Sequence, residues 1–272
     1  MSLVSGLRTG VRSILRSGLN PGDSTVSMAG VAQDATSGIY CPASAAQWTT
    51  TLAVAGITTG NPSSLYLLQE AAGNPADSIG AFTLTAAGTL LYQQPVTGWT
   101  RLGITTTDGV AGSLQSVSAS LPDIATTSCL LLLYVLLPLN AAVARTVAQL
   151  GSSFSTSARA EVVGVPKNLR GELDPNVANG AADATSVVRL IMIMVDRTNA
   201  VGVIASDLET LSPALTATPA GKTMMIGGDN VISNQPPLAT NTYAVRFDGA
   251  AAELTLAKRR ALATTLGWSI PW

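Results

Sequence analysis

Short apolar segments alternate with turn residues from about Ser64 onward, at intervals of roughly 8–12 residues. Glycine, proline and asparagine separate the segments, and the tetrapeptide 196–199 (Asp-Arg-Thr-Asn) between two apolar segments predicts a hairpin loop. The spacing indicates an all-β sandwich or barrel rather than alternating strands and helices. The predicted strands are 64–69, 82–84, 89–93, 98–106, 129–137, 142–150, 160–165, 187–195, 200–206, 223–226 and 243–248.

Two of these segments are apolar on both faces. Residues 129–137 read CLLLLYVLL, and residues 188–195 are interrupted only by Arg189. A strand of a two-layer sandwich normally has one polar face, so these strands require a third layer of protein. Four sources are open: the chain's own loops, which we favour, an extra small sheet, the N-terminal helix or another subunit.

The first 17 residues have the spacing of an amphipathic helix. One face is apolar and another carries a basic stripe; the residues are Leu3, Leu7, Val11 and Ile14, and Arg8, Arg12 and Arg16. Such a helix could dock on its own domain, on a partner or on a membrane surface. We expect a partner protein to receive it, with the arginines pairing with acidic groups. The chain is therefore divided into an attachment arm, 1–45, and a sandwich domain, 46–272.

Two further segments have interpretable patterns. Residues 48–57 alternate loosely and predict an early strand. Residues 255–265 predict a helix that begins after Thr255 and ends before Gly267.

Cys41 and Cys129 have no metal-binding spacing and form either one disulfide or two buried thiols.

Composition excludes several classes of function. The chain has no histidine, which removes Ser-His-Asp and Cys-His catalysis. Charged residues make up 11% and the net charge is −1, which argues against nucleic-acid binding through phosphates. The longest apolar segment is far shorter than the roughly 20 residues of a membrane-spanning helix. No membrane partner and no cofactor are expected.

The carboxylates give no catalytic pattern. Asp207 and Glu209 are the nearest pair at two-residue spacing, and we interpret them as a solvated loop. Asp77 is expected to accept backbone N–H groups in a turn. Weak calcium candidates are Asp77, Asp108 and Asp229, and the candidate glycan-binding residues are Trp48 and Trp99. The protein is therefore not expected to be an enzyme.

The stretch 66–89 (YLLQEAAGNPADSIGAFTLTAAGT) resembles the opening of laminin-G-like, concanavalin A-like domains. Residues 247–249 (Phe-Asp-Gly) and the hairpin in 187–206 are similar to later parts of such domains. The resemblance covers residues 46–272. It implies an all-β jelly-roll sandwich, here with an N-terminal helical or extended arm and a short C-terminal helix. The residues that match the opening motif are Glu70, Gly73, Asp77, Ser78 and Gly80.

The segments YLLQEAAGNPADSIG, LYQQPVTGWTR and LGWSIPW are similar to variants found in virion structural proteins of tailed bacteriophages. This resemblance implies a non-enzymatic virion protein, such as a capsid decoration, tail or fibre component, that contacts its own copies and other virion proteins. The alternative is a lectin-like module that binds a host glycan for surface attachment. A glycan-cleaving enzyme is a third hypothesis, disfavoured because no paired carboxylates are found.

Overall fold

The protein is a β-sandwich of two antiparallel sheets, and a layer of helices and loops covers the outer face of one sheet. This architecture comes from a computed structural model that describes residues 28–80, 82–106, 112–116, 121–137, 141–152, 156–173, 176–213, 219–228 and 239–272. The predicted sandwich fold is confirmed.

The described residues form two α-helices and fifteen strands. The helices are α1 (Ala45–Val54) and α2 (Leu256–Thr265), and a 3-10 helix spans Gly249–Ala252. The strands are β1 (Ser64–Tyr66), β2 (Leu84–Gly88), β3 (Leu90–Pro95), β4 (Leu102–Thr106), β5 (Gly112–Ser116), β6 (Cys129–Leu136), β7 (Ala141–Leu150), β8 (Ala158–Gly164), β9 (Lys167–Leu173), β10 (Asn176–Asp183), β11 (Val188–Asp196), β12 (Val201–Ser206), β13 (Thr210–Leu211), β14 (Met224–Ile226) and β15 (Ala239–Asp248).

The fifteen strands form two sheets with a core between them. The eight-stranded sheet has the order β13-β12-β11-β6-β15-β4-β3, with β1 beside β15. The seven-stranded sheet has the order β10-β9-β8-β7-β14-β5-β2. The predicted hairpin joins β11 to β12, and there the Asp196 carboxylate accepts the Asn199 N–H at 2.9 Å. An inner core of aliphatic side chains, Leu131 and Ala160 among them, fills the space between the sheets.

The third layer comes from the chain itself. Alternate side chains of β6, Leu130, Leu132 and Tyr134, point away from the inner core and form an outer core with the helices. Trp48 of α1 and Leu262 of α2 contribute to this outer core and are fully buried. The strands that are apolar on both faces are therefore explained without another subunit.

Helix α1 corrects the prediction of a strand at 48–57. The Ser44 hydroxyl accepts the Gln47 N–H at 3.3 Å and caps the helix. Helical spacing places Trp48 and Leu52 on one face, and both are buried. The threonine-rich sequence favours a strand by local propensity, but burial of this face on the sheet outweighs that preference.

Trp48 also anchors α1 by hydrogen bonding. Its indole N–H donates to the Tyr243 hydroxyl at 2.9 Å, and that hydroxyl donates to the Pro42 carbonyl at 2.7 Å. The ring packs edge-on against Phe247, with centroids 5.3 Å apart. Each buried polar atom of this group thus has a partner, as a stable core requires.

Residues 28–44, the described part of the predicted arm, lie against the sandwich. The Asp34 carboxylate accepts the Thr100 N–H at 2.8 Å and the Ser37 N–H at 2.9 Å. Burial would raise the pKa of Asp34, but these hydrogen bonds outweigh it and hold the pKa well below its usual range. The division at residue 45 stays a prediction, and residues 1–17 lie outside the described residues.

The predicted C-terminal helix and one of the two alternatives for the cysteines agree with the structure. Thr255 caps α2 by accepting the Lys258 N–H at 3.3 Å, and Gly267 just beyond the helix has a φ of 93°. Cys41 and Cys129 are both free and buried, one in each core. Burial raises the pKa of each thiol to about 12, so both thiols are neutral.

We expect Trp48→Ala to lower the free energy of unfolding by about 3–5 kcal/mol, because the substitution leaves a cavity and removes the indole N–H that donates to the Tyr243 hydroxyl. Trp48→Phe should cost less, since it keeps most of the apolar contact. Urea unfolding followed by circular dichroism measures both. Leu91→Ala, at a side chain 44% exposed, is the control and should change stability little. Equal losses for Trp48→Ala and Leu91→Ala would contradict this account.

Candidate functional site

A shallow pocket with an enclosed volume of about 20 Å³ opens at one end of the sandwich, and we call it the end pocket. It lies where β9 begins, β10 ends and β11 begins, so both sheets contribute to it. Apolar side chains and charged side chains share its wall. The lining residues are Leu137, Val162, Lys167, Asn168, Leu169, Asp183, Arg189, Ile191, Ser206, Leu208 and Glu209.

Four buried charged residues form an ion cluster at this pocket: Lys167, Asp183, Arg189 and Asp207. The Arg189 guanidinium donates from Nε to Asp183 at 3.1 Å and from Nη2 to the same carboxylate at 3.0 Å. Its Nη1 donates to Asp207 at 2.8 Å. Lys167 lies 3.5 Å from Asp183 and donates to the Thr185 carbonyl at 2.5 Å. The cluster thus joins β9 and β10 of one sheet to β11 and the β12–β13 connection of the other.

The two aspartates respond differently to the same arginine. Burial would raise the pKa of Asp183, but hydrogen bonds from Arg189 and Thr185 outweigh it and lower the pKa to about 2. Burial raises the pKa of Asp207 despite its ion pair with Arg189. Burial also lowers the pKa of Lys167, and Asp183 counteracts that effect only in part.

One exposed apolar side chain lines the end pocket: Leu208, which is 41% exposed. Isolated exposed aliphatic residues are common on protein surfaces, but Leu208 shares this pocket with charged groups held in fixed positions.

The connection that carries Asp207, Leu208 and Glu209 is itself held in place. The Ser206 N–H donates to the Glu209 carbonyl at 2.8 Å, and the Ser206 hydroxyl accepts the Leu208 N–H at 3.1 Å. The Trp272 indole N–H donates to the Ser206 carbonyl at 2.7 Å. The pocket wall is therefore fixed from outside by the segment that follows α2.

A second charged group lies on β8 and β9 and has a different character. Arg159 and Glu161 of β8 stand opposite Glu172 and Arg170 of β9 in the strand register. Glu161 accepts from Arg159 at 3.2 Å and lies 3.1 Å from Arg170, while Arg170 lies 3.0 Å from Glu172. Burial raises the pKa of Glu161. Opposite charges across the strands fix their register, and none of the four side chains lines the end pocket.

The two tryptophans predicted to bind glycans do not lie in the end pocket. Trp48 is fully buried in the outer core, so its proposed glycan contact is wrong. Trp99 is half-buried and packs against Trp268 and Tyr134, with ring centroids 6.2 Å and 6.0 Å away. A glycan contact at Trp99 stays a prediction.

Asp77 has the structural role expected of it. Its carboxylate accepts the N–H groups of Leu65, Ile79 and Gly80 at 2.9–3.1 Å, which leaves little capacity for a cation. Asp108 and Asp229 lie outside the described residues, as do the predicted arm contacts, which are Leu3, Leu7, Arg8, Val11, Arg12, Ile14 and Arg16. Within the described ranges, no three acidic, histidine or cysteine side chains converge to hold a metal ion.

The interpretation of Asp207 as part of a solvated loop is wrong. Asp207 is 7% exposed because Arg189 and the Leu190 N–H bind its carboxylate, the latter at 3.1 Å. The sequence analysis also missed Lys167, Asn168 and Asp183 as site residues. The one available signal was Arg189, a charge within an otherwise apolar strand that must find buried partners.

Comparisons with known proteins show a similarity of fold only. No protein-family model matches the sequence, and no curated protein matches it. A Trypanosoma rangeli sialidase in complex with sialic acid is similar in structure, with a TM-score of 0.57 and 11% identity over 77% of this chain and 33% of that chain. The binding domain of botulinum neurotoxin DC, in complex with rat synaptotagmin II, has a TM-score of 0.52 and 9% identity over 76% and 54% of the two chains.

A third similar structure is that of botulinum neurotoxin type C, whose cell entry depends on interaction with two ganglioside molecules. Its TM-score is 0.51 at 8% identity, over 76% of this chain and 53% of that chain. The chain thus spans about a third of the sialidases and about half of the toxin structures it matches.

In the part of the chain that the structure describes, no helix is long and apolar enough to span a membrane.

We expect Asp183→Asn to lower stability at pH 5–7 and the loss to vanish as pH falls. The folded-state pKa of Asp183 is lowered to about 2 from 3.8, so its ionised form stabilises the fold above pH 3.8, and that stabilisation is lost as pH falls through about 2. Urea unfolding of both proteins between pH 2 and 7 measures the difference. Asp207→Asn is the matched control, because Asp207 binds the same arginine but has a raised pKa. A difference independent of pH would contradict the assignment.

Proposed function

We propose that this chain is a carbohydrate-binding β-sandwich module that binds a glycan in the end pocket without cleaving it. The observation that carries the proposal is the combination of fixed polar side chains and one exposed aliphatic side chain, Leu208, in one concave site. Sugar rings present hydroxyl groups at their edges and C–H groups on their faces. The end pocket offers partners for both, since Asn168 and Glu209 stand beside Leu208.

The size and order of the site suit a small ligand. The enclosed part of the end pocket, about 20 Å³, admits one water-sized group such as a single sugar hydroxyl, so most of a bound sugar would lie outside it. Its charged side chains hold one another through ion pairs of 2.8–3.5 Å. Because these side chains are ordered before a ligand arrives, binding requires little further loss of conformational entropy.

The same ion pairs argue against hydrolysis. Most glycoside hydrolases, sialidases with their tyrosine nucleophile excepted, place two carboxyl groups on either side of the bond to be cleaved, with space for the substrate between them. Here Arg189 binds both Asp183 and Asp207, so its guanidinium occupies the space between the two carboxylates. The proposal is therefore a binding module rather than an enzyme.

The similar structures support this proposal through the kind of molecule they bind. They include a sialidase in complex with sialic acid and a toxin that interacts with gangliosides. A virion location, and contacts with other virion proteins through the predicted arm, stay predictions. They are compatible with a module that attaches a particle to a host glycan. The apolar strands, for which another subunit was one of the open covers, are covered by α1 and α2.

We expect Leu208→Ser to weaken glycan binding roughly five- to tenfold, because the substitution removes the aliphatic wall of the end pocket. A glycan array with the whole chain identifies a binding sugar, and isothermal titration then gives the affinities. Val201→Ser is the matched control, since Val201 is similarly exposed at 38% and does not line the pocket. Silence across the array, or equal effects of the two substitutions, would overturn the proposal.

A further inference from the structure

Asn179 of β10 is the one asparagine in the sequence that a glycine follows. Because Gly180 has no Cβ, nothing on that residue crowds its backbone nitrogen when the nitrogen approaches the preceding side chain. Ala178 packs against the inner core, so the Asn179 side chain points to the opposite face of the strand, where it is exposed. The pair therefore combines an unhindered nitrogen with an amide group that water can reach.

The backbone of this pair is held by strand pairing on one side only. Strand β10 is the last strand of the seven-stranded sheet and pairs with β9 alone. Its register with β9 shifts between Asn179 and Ala182, so the regular pairing is interrupted at the two residues between them. An extended strand must rearrange before an asparagine side chain can meet the next nitrogen, and local rearrangement costs least at an irregular edge.

One side chain from the other sheet restrains this edge. The Glu209 carboxylate accepts the Ala181 N–H at 2.8 Å through Oε2. It also lies directly over Gly180, where an added Cβ would overlap it. The Asn168 side chain contributes less, since its amide nitrogen donates to the Gly180 carbonyl at 3.4 Å. Glu209 therefore opposes the rearrangement that brings the Asn179 side chain onto the next nitrogen.

We infer that Asn179 is a site of spontaneous modification, at which its side chain cyclises onto the Gly180 nitrogen and then opens to aspartate or isoaspartate. The Gly180 nitrogen loses its proton and bonds to Cγ of Asn179, the Cγ–Nδ2 bond breaks, and ammonia leaves. One water molecule then opens the cyclic imide. Breaking the new bond to Cγ gives aspartate, and breaking the bond to the main-chain carbonyl carbon gives isoaspartate. Nothing is oxidised or reduced.

Both products change this edge of the sandwich. Asn179 stands opposite Arg170 in the strand register, so the new carboxylate lies beside a guanidinium that already binds two glutamates. Isoaspartate also lengthens the main chain by one methylene, which displaces the Gly180 carbonyl and the Ala181 N–H. The modification needs no bound glycan and does not depend on the proposed function.

The test follows each asparagine of the intact folded chain at pH 8 and 37 °C. Samples are digested at pH 5, where the reaction is slow, and mapped by tandem mass spectrometry. We expect Asn179 to gain about 1 Da at least tenfold faster than Asn176 or Asn199, because a side chain on the residue after each of those crowds the nitrogen. Asn241, fully buried in β15, gives the rate of a protected asparagine.

Substitutions connect the reaction to the geometry. Glu209→Ala should raise the rate at Asn179 about threefold or more, since it releases the Ala181 N–H. Glu70→Ala is the matched control, because the Glu70 carboxylate also accepts a backbone N–H, that of Ala76 at 3.3 Å, but outside β10. That control should leave the rate at Asn179 unchanged. Asn179→Gln should remove the modification from this position, because the longer side chain no longer closes a five-membered ring.

The outcomes are distinguishable. A rate at Asn179 no higher than that at Asn241 overturns the inference, because the folded strand then protects the pair. A rate at Asn176 or Asn199 equal to that at Asn179 overturns it as well. A threefold rise in Glu209→Ala but not in Glu70→Ala, with both variants folded at 37 °C by circular dichroism, supports the restraint by Glu209. Equal rates in the two variants remove Glu209 from that role.

Discussion

The outer face of the eight-stranded sheet has to be removed from water, and the rest of the architecture depends on how this is done. Leu130 and Leu132 of β6, with Met192 of β11, present a broad apolar surface on the side away from the other sheet. At about 25 cal/mol per Å² such a surface favours any cover that is within reach. Helices α1 and α2 provide that cover, and the result is a three-layer protein with two separate cores.

Arg189 is the exception within this apolar environment. A guanidinium carried by β11 cannot be buried without compensation, so carboxylates from both sheets gather around it. The carboxylates that compensate the buried charge of Arg189 stabilise this end of the sandwich. They also leave ordered polar groups at the opening of the end pocket. A structural need and the proposed binding site thus share one set of residues, which is why substitutions at Asp183 are expected to alter stability as well as the proposed binding.

Sequence reasoning identified elements whose apolar residues follow a clear period. The segments that became β6, β11, β12 and α2 were all recognised, and the hairpin after Asp196 was placed correctly. It failed for α1, where local propensity and tertiary burial disagree.

Strands β9 and β10 were missed because their sequences, KNLRGEL and NVANGAAD, lack an apolar alternation. Since those strands carry Lys167, Asn168 and Asp183, the candidate site was invisible for the same reason. These segments become strands by pairing, β9 with β8 and β10 with β9, and strand formation depends on such neighbours more than on a segment's own apolar pattern.

The hydrogen bond from Trp272 to the Ser206 carbonyl has a further consequence. It couples the wall of the end pocket to the packing of Trp272, so the position of one depends on the position of the other. Any molecule that pulled Trp272 away would release the backbone beside Leu208 and reduce affinity there. By reciprocity, a ligand lodged against Leu208 would hold Trp272 more firmly in place, so events at either location are thermodynamically linked.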